Sequence, residues 1–137
     1  MSHDKSESFC RSHKCIQERN PSIFKVKGSS RRFYRPFIQI VGVQPEEGTR
    51  IPGIRKWPQE YLPKIFNPSK VDLILEVNQQ EAERHTKLLA QKEGVFAGMS
   101  SGGAVSAALK VCNELEEGVV VVIICDRGDR YLSSGLF

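Results

Sequence analysis

The distribution of apolar residues divides the chain at residue 38. Residues 1–37 show no sustained helical or strand period, and Ser, Lys, Arg and His dominate them. Prolines and a glycine interrupt the segment further. We therefore expect a basic leader over residues 1–37, irregular or disordered, with at best a short helix near Cys10–Glu18. Residues 38–137 carry regular apolar patterns and are expected to form a folded domain.

Three apolar runs in this second segment predict β-strands. The first, Ile38–Val43, is rich in β-branched residues, and the second, Val71–Val77, alternates in part. The third, Gly118–Cys125, is continuously apolar, which is typical of a strand buried on both faces of a parallel sheet.

Two helices are predicted between the second and third strands. Asn78 followed by Glu81 has the spacing of a capping box, and Gly94 marks the end of a helix that runs to about Lys92. A second helix, extending to about Leu115, begins near Ser100 or Ser101, either of which could cap it. The order strand, loop, strand, helix, helix, strand predicts an α/β fold in which helices flank a partial parallel sheet.

The stretch Gly98–Ala104 is the most distinctive in the chain. It places three glycines and two hydroxyls at the start of a helix, where glycine permits close approach and the free N–H groups favour an anion or polar ligand. The alternative is an ordinary capped helix packed tightly on the sheet. Because ligands in such sheets lie beyond the carboxyl ends of strands, this stretch could share a site with the loops Gln44–Trp57 and Asp126–Gly135.

The loop after the first strand contains a basic pair. Arg55 and Lys56 precede Trp57 in a segment whose prolines and glycines exclude a regular helix. Long loops in compact domains are often functional, so a basic, aromatic surface loop is the specific expectation. The alternative is an incidental solvated pair beside a Trp that packs on the domain.

Charge and composition exclude several function classes. Residues 1–37 hold nine Lys and Arg against three Asp and Glu, whereas the remainder of the chain is slightly acidic. No nucleic-acid motif accompanies the basic leader, so a solvated arm is favoured over a nucleic-acid arm. No segment approaches the roughly 18 uninterrupted apolar residues of a membrane span. We expect a soluble, cytoplasmic protein with neither nucleic-acid nor membrane partners.

The cysteines and histidines do not predict a metal site. Cys10 and Cys15 lie near His3 and His13, but their spacing does not match a zinc finger, and a second pair is missing. We expect reduced thiols and no bound metal.

Three stretches together resemble one family. They run from Ile40 to Gly48 with Ile51 to Pro58, from Gly94 to Ala104, and from Ile123 to Phe137. In this order and spacing they resemble the C-terminal part of the cysteine synthase B family, the B-type O-acetylserine sulfhydrylases. The resemblance implies that residues 38–137 form a fragment of the fold-type II architecture of enzymes that use pyridoxal phosphate. It also implies O-acetylserine and a sulfur donor, sulfide or thiosulfate, as substrates, and possible homodimers.

The resemblance also implies site residues. Ser100 matches the hydroxyl that lies near the pyridine nitrogen of the cofactor, and Cys125 matches a cysteine close to the same ring. An inert thiol that closes a buried strand is the alternative for Cys125. Arg55 and Lys56 match a basic pair on a loop that closes over the substrate, where cations suit an anionic sulfur donor.

Other parts of the family pattern have no counterpart in this sequence. The lysine that forms the Schiff base, the loop that holds the substrate carboxylate and the loop that binds the cofactor phosphate are not found, so no catalytic residue is assigned. We expect an inactive, marginally stable chain with an exposed apolar sheet face. The alternative is a non-catalytic partner that complements a separately encoded N-terminal half or binds an intact paralogue.

Overall fold

The described residues form a four-stranded sheet and two helices, of which the second packs on both the sheet and the first helix. A computed structural model describes residues 23–27 and 38–137. The strands are β1 (Ile23–Lys27), β2 (Ile38–Pro45), β3 (Leu73–Val77) and β4 (Val119–Val121), and the helices are α1 (Gln79–Glu93) and α2 (Met99–Glu114). Short 3₁₀ helices lie at Gln59–Tyr61, Pro68–Lys70 and Gly128–Ser134.

The strands follow the order β3-β2-β1-β4. β2 and β3 are parallel, as predicted, with Val41 opposite Leu73 and Val43 opposite Leu75. β1 is antiparallel to both β2 and β4, so the three predicted strands share one direction and β1 runs against them. The α/β class is thus confirmed, and the described sheet is mixed rather than wholly parallel.

β1 corrects one expectation about the leader. The apolar pattern predicts no strand before residue 38, but Ile23–Lys27 is a strand. The rest of residues 1–37, including the helix expected near Cys10–Glu18, lies outside the described residues. The division of the chain at residue 37 stays a prediction.

The third predicted strand is shorter and more exposed than expected. β4 covers only Val119–Val121, although the apolar run extends to Cys125. Val119 is 43% exposed and Ile124 is 45% exposed, and in β3 Ile74 is 46% exposed. The prediction of a strand buried on both faces is therefore wrong for this run.

Helix α1 forms as its sequence predicts. The Asn78 side chain accepts a hydrogen bond from the Glu81 N–H at 2.8 Å, and the Glu81 carboxylate accepts one from the Asn78 N–H at 3.2 Å. At the other end Gly94 adopts a left-handed conformation, with φ of 67°. Both end signals are local in sequence, which explains why they could be recognised there.

Helix α2 is the most buried element of the described domain. Every residue from Met99 to Ala108 is buried. Because these residues are mostly Gly, Ala and Ser, α2 can approach α1 and the sheet closely. Its alanines form one core with Val41 and Val43 of β2, Val77 of β3 and Ala82 of α1. The Gly-Ser stretch therefore begins at the centre of the domain.

Within the described residues, the structure contains no helix with the length and apolar character needed to cross a bilayer.

Candidate functional site

Helix α2 begins at Gly98, not at a serine. Gly98 is the N-cap, with extended backbone and no cap hydrogen bond from its own segment. The prediction that Ser100 or Ser101 caps the helix is wrong, since both lie in its first turn. Sequence spacing could not exclude the serines, because the residue that takes over their role lies far along the chain.

Asp126 caps α2 from the loop after β4. The Ser100 N–H donates to Asp126 Oδ2 at 3.2 Å, and the Ser101 N–H donates to Oδ1 at 3.1 Å. The Ser101 hydroxyl also donates to Oδ1, and the Tyr131 hydroxyl donates to Oδ2 at 2.9 Å. The anion that the sequence predicted at this helix start is thus a side chain of the protein itself.

Two pKa values are displaced by this arrangement. Burial raises the pKa of Asp126, but hydrogen bonds from Ser101, Ser100 and Tyr131 outweigh it, so the pKa is lowered from 3.8. Burial and the hydrogen bond to the Asp126 carboxylate raise the pKa of Tyr131 to about 12. Asp126 is therefore ionised and Tyr131 neutral over a wide pH range.

We expect the free energy of unfolding to fall in two pH ranges, here called the acid limb and the alkaline limb. Because the pKa of Asp126 is depressed, its contribution is present above the unfolded value of 3.8 and is lost as the pH falls through the folded pKa. Because the pKa of Tyr131 is raised, its contribution is complete below pH 10.0 and is lost as the pH rises through about 12. Urea unfolding over a pH series measures both limbs.

Two variants separate these limbs from other titrations. The difference in unfolding free energy between wild type and Tyr131→Phe should shrink as the pH rises through about 12. The difference between wild type and Asp126→Asn should shrink in acid instead. Differences that do not depend on pH would contradict both assignments.

Ser100 and Cys125 lie against each other. Ser100 Oγ is 3.2 Å from Cys125 Sγ, and either atom could be the donor. Ser101 Oγ accepts hydrogen bonds from the N–H groups of Cys125 and Asp126, at 3.1 and 3.3 Å. The structure therefore brings two of the four predicted site residues together, as a hydroxyl and a thiol that can each donate or accept a hydrogen bond.

A turn from the loop after β2 reaches the same place. Ile51 and Ile54 are buried and form an isolated bridge, and Gly53 between them has a φ of 91°. A Cβ added to Gly53 would lie 2.7 Å from Cβ of Ser100. The turn thus packs on Ser100 through a glycine, and Arg55 and Lys56 follow it directly.

Arg55 and Lys56 are held by other partners. The Arg55 guanidinium lies over the Trp57 ring, 5.7 Å from its centroid. Lys56 Nζ donates to Glu76 Oε1 at 3.1 Å in an exposed ion pair. The structure therefore places both cations on the surface beside the turn, and it gives no contact from either to Ser100 or Cys125.

The sequence did not predict that Asp126, Tyr131 and Ser101 share one hydrogen-bond network, since it named Ser101 only as a possible cap and Asp126 only as the start of a loop. A signal was present, since an acidic residue directly follows the apolar run at Cys125 and a tyrosine follows five residues later. Asp126 lies 26 and 25 positions from Ser100 and Ser101, so only the fold shows that they meet. The residues named for metal, Cys10, Cys15, His3 and His13, lie outside the described segments. In residues 23–27 and 38–137, no cluster of three or more potential ligands could hold a metal.

Comparison with known proteins identifies the family. The family model described as pyridoxal-phosphate dependent enzyme matches residues 16–126. The chain belongs to this family. The match begins inside residues 1–37, the segment expected to be a basic leader.

Within the pyridoxal-phosphate-dependent enzymes, the resemblance to cysteine synthase B is confirmed. The chain is 61% identical over 102 residues to cysteine synthase B of Pseudomonas aeruginosa, covering 74% of this chain and 34% of that protein. It is 60% identical over 100 residues to the cysteine synthase B of Escherichia coli, covering 73% and 33%. The chain thus spans about a third of the length of these relatives.

Solved structures support the same fold. A cysteine synthase from Entamoeba histolytica superposes with a TM-score of 0.67 at 31% identity, over 75% of this chain and 33% of that one. An O-ureido-L-serine synthase superposes with a TM-score of 0.66 at 29% identity, over 75% and 35%.

The residues at the start of α2 fit one end of the family cofactor. A pyridine nitrogen can accept a hydrogen bond from a hydroxyl or thiol, and Ser100 and Cys125 offer both within 3.2 Å of each other. The nearby charge of Asp126 is already bound by the first turn of α2 and Tyr131. Lys56 and Lys110 are paired with Glu76 and Glu81. Among these residues, therefore, only Ser100 and Cys125 match a part of the cofactor, and that part is the ring nitrogen.

Proposed function

We propose that this chain supplies the ring-nitrogen part of a cysteine synthase site that binds pyridoxal phosphate. The observation that carries the proposal is the contact of 3.2 Å between Ser100 Oγ and Cys125 Sγ at the start of α2. It occurs in a chain about 60% identical to two cysteine synthase B proteins. The substrates would be O-acetylserine and a sulfur donor, sulfide or thiosulfate.

The proposed role of Ser100 and Cys125 follows from their lack of charge. Pyridoxal phosphate, when bound, supplies the electron sink for replacing the acetate group by sulfur. Ser100 would hydrogen-bond the ring nitrogen as a neutral partner, and Cys125 would hold the Ser100 hydroxyl in place. Neither residue delivers a full proton to that nitrogen. An unprotonated ring is a weaker electron sink, which suits β-elimination.

Arg55 and Lys56 would recruit the anionic sulfur donor. Their present contacts are weak, since an exposed ion pair contributes about 0–1 kcal/mol and an exposed cation–π contact about 0.5–1 kcal/mol. An anion at the site can therefore draw both cations away from Glu76 and Trp57. This role is supported by their position in the chain, directly after the turn that contacts Ser100 through Gly53.

We further propose that the isolated chain does not turn over substrate. The cysteine synthase B relatives are about three times longer than the matched segment, and the Schiff-base lysine is expected in the remaining two-thirds. The test compares the full chain alone with the chain co-expressed with the remaining two-thirds of the Pseudomonas aeruginosa protein. Cysteine formation from O-acetylserine and the visible absorbance of the cofactor are measured in each sample.

The expected result is no cysteine and no cofactor absorbance from the chain alone, and both from the co-expressed pair. Ser100→Ala in the pair should lower turnover, whereas Ser69→Ala, at an exposed surface serine, should leave it unchanged. Cysteine formation by the purified chain alone would overturn the proposal of inactivity. Turnover that Ser100→Ala leaves intact would overturn the proposed role of that residue.

A non-catalytic partner is the second candidate. It is favoured by the exposed apolar side chains of Ile74 in β3, Val119 in β4 and Ile124 just after β4, which suit contact with another polypeptide. In this case the chain would form a complex with an N-terminal half or an intact cysteine synthase without raising activity. Size-exclusion chromatography of the mixture, with cysteine assays of each fraction, distinguishes the two candidates. Homodimer formation and a cytoplasmic location stay predictions.

A further inference from the structure

Asp126 connects the two residues of the proposed ring-nitrogen site. Along the chain it directly follows Cys125, and through its carboxylate it binds the first turn of α2, which contains Ser100. A change in Asp126 therefore alters both members of the pair at once. The carboxylate binds the Ser100 N–H and leaves Ser100 Oγ in its contact with Cys125 Sγ, 3.2 Å away.

The carboxylate determines the orientation of the helix start. Its two oxygens receive N–H groups from successive residues, Ser100 and Ser101, which a single acceptor could not orient as firmly. Ser101 Oγ closes the network, since it donates to the carboxylate and accepts from the Cys125 N–H at 3.1 Å. In the described residues no buried side-chain nitrogen or oxygen lacks a hydrogen-bond partner.

Gly98 leaves room for this carboxylate. A Cβ at Gly98 would overlap Asp126 Oδ2 and the Tyr131 ring, so only glycine permits both to occupy that position. The Gly98 N–H also donates to the Asp126 carbonyl at 3.2 Å. The loop after β4 and the start of α2 are thus joined through both main chain and side chain.

We propose that Asp126 is the positioning residue of the Ser100–Cys125 pair, and that its own charge is kept off the ring nitrogen. Four donors bind the carboxylate at the positive end of α2, so its negative charge is compensated there and is not available to stabilise a protonated ring nitrogen. The part that concerns the ring nitrogen rests on the proposed function. The positioning part concerns the chain alone.

Hydrogen exchange tests the positioning part without any cofactor. In Asp126→Asn, the amides of Ser100 and Ser101 should exchange about 10- to 100-fold faster, the effect of losing hydrogen bonds to a charged group. Amides in the middle of α2, such as Ala108, should keep their wild-type rates. Asp129→Asn is the matched control, because that exposed carboxylate pairs only with Arg127 in the contacts described. Asp129→Asn should change the exchange rates of neither group of amides.

Alkylation of Cys125 gives a second readout. Iodoacetamide labelling, followed at each cysteine by mass spectrometry, should become several-fold faster at Cys125 in Asp126→Asn and unchanged at Cys112. Tyr131→Phe removes one donor and keeps the carboxylate, so it should show the same changes at smaller size. Tyr131→Phe also replaces Asp126→Asn as the test variant if Asp126→Asn fails to fold. Uniformly faster exchange throughout α2 in Tyr131→Phe, or no change at Ser100 and Cys125, would overturn the positioning role.

The role of Asp126 at the cofactor site is tested in the co-expressed pair. Asp126→Asn should weaken retention of pyridoxal phosphate about 10-fold, measured by cofactor fluorescence after dialysis. Unchanged retention would mean that Asp126 positions the pair only in the chain without cofactor, and it would overturn the role of Asp126 at the site. If the wild-type pair itself binds no pyridoxal phosphate, the proposed function fails, while hydrogen exchange still decides the positioning role.

Discussion

Gly102→Ala is expected to destabilise the domain by about 3 kcal/mol or more. A Cβ at Gly102 would overlap Thr86 Oγ1 and the Ala82 carbonyl oxygen, and it would lie 2.8 Å from the Thr86 nitrogen. Two of these atoms belong to the main chain of α1, which cannot move without separating the helices. The gain in helix propensity from Gly to Ala, about 1 kcal/mol, is too small to offset the overlap. Urea unfolding followed by far-ultraviolet circular dichroism measures the loss.

Gly103→Ala is the matched control on the next residue of the same helix. Its Cβ would lie 2.6 Å from Ile54 Cδ1 and 3.6 Å from the nearest atoms beyond it. Because Cδ1 is the flexible end of a side chain, it can rotate away. We expect Gly103→Ala to remain within about 1 kcal/mol of the wild type. Equal losses in the two variants would contradict the close approach of α1 and α2 at Gly102.

The second large effect is expected at Gly53. Gly53→Ala meets two costs, since φ is 91° and the new Cβ would lie 2.7 Å from Cβ of Ser100. Ser100 lies in the buried first turn of α2, so the turn that precedes Arg55 and Lys56 has to move instead. We expect a loss of stability of about 3 kcal/mol, with lower turnover in the co-expressed pair.

Gly48→Ala separates the two costs. Gly48 has a similar φ of 77°, but no atom lies within 4 Å of its added Cβ. It should therefore show only the conformational cost, about 1 kcal/mol, and leave turnover in the pair unchanged. If Gly53→Ala is no worse than Gly48→Ala, the turn does not pack on Ser100 as described.

The elements that could be predicted from the sequence depend on neighbours in the chain. The capping box of Asn78 and Glu81 spans three residues, and Gly94 ends α1 through its own backbone conformation. The strands β2 and β3 follow from their apolar runs. Such signals need no knowledge of the rest of the fold.

The elements that were missed depend on distant partners. Strand β1 is only five residues long, and its place in the sheet depends on pairing with both β2 and β4. β4 ends at Val121 although its apolar run continues. The end could not be predicted, because an apolar run indicates burial without indicating which neighbouring strands or helices provide it.

In the candidate site, too, some features could be predicted from the sequence and others only from the structure. The Gly-Ser stretch and the resemblance to the cysteine synthases singled out Ser100 and Cys125, and the fold brings them together at 3.2 Å. The basic pair was correctly placed on an exposed loop, but its contacts with Trp57 and Glu76 could not be foreseen. The roles of all four residues stay predictions.

The sequence by itself determined the α/β class, the ends of α1, the presence of a second helix after it, and the family. These features depend on residue types at short spacing, where propensity and capping act directly. Tertiary structure alone decided that Asp126, 25 and 26 residues from its partners, caps α2 and takes the anion position there. A cap requires only a hydrogen-bond acceptor at the right point in space, and the chain can supply that acceptor from any segment that the fold brings near.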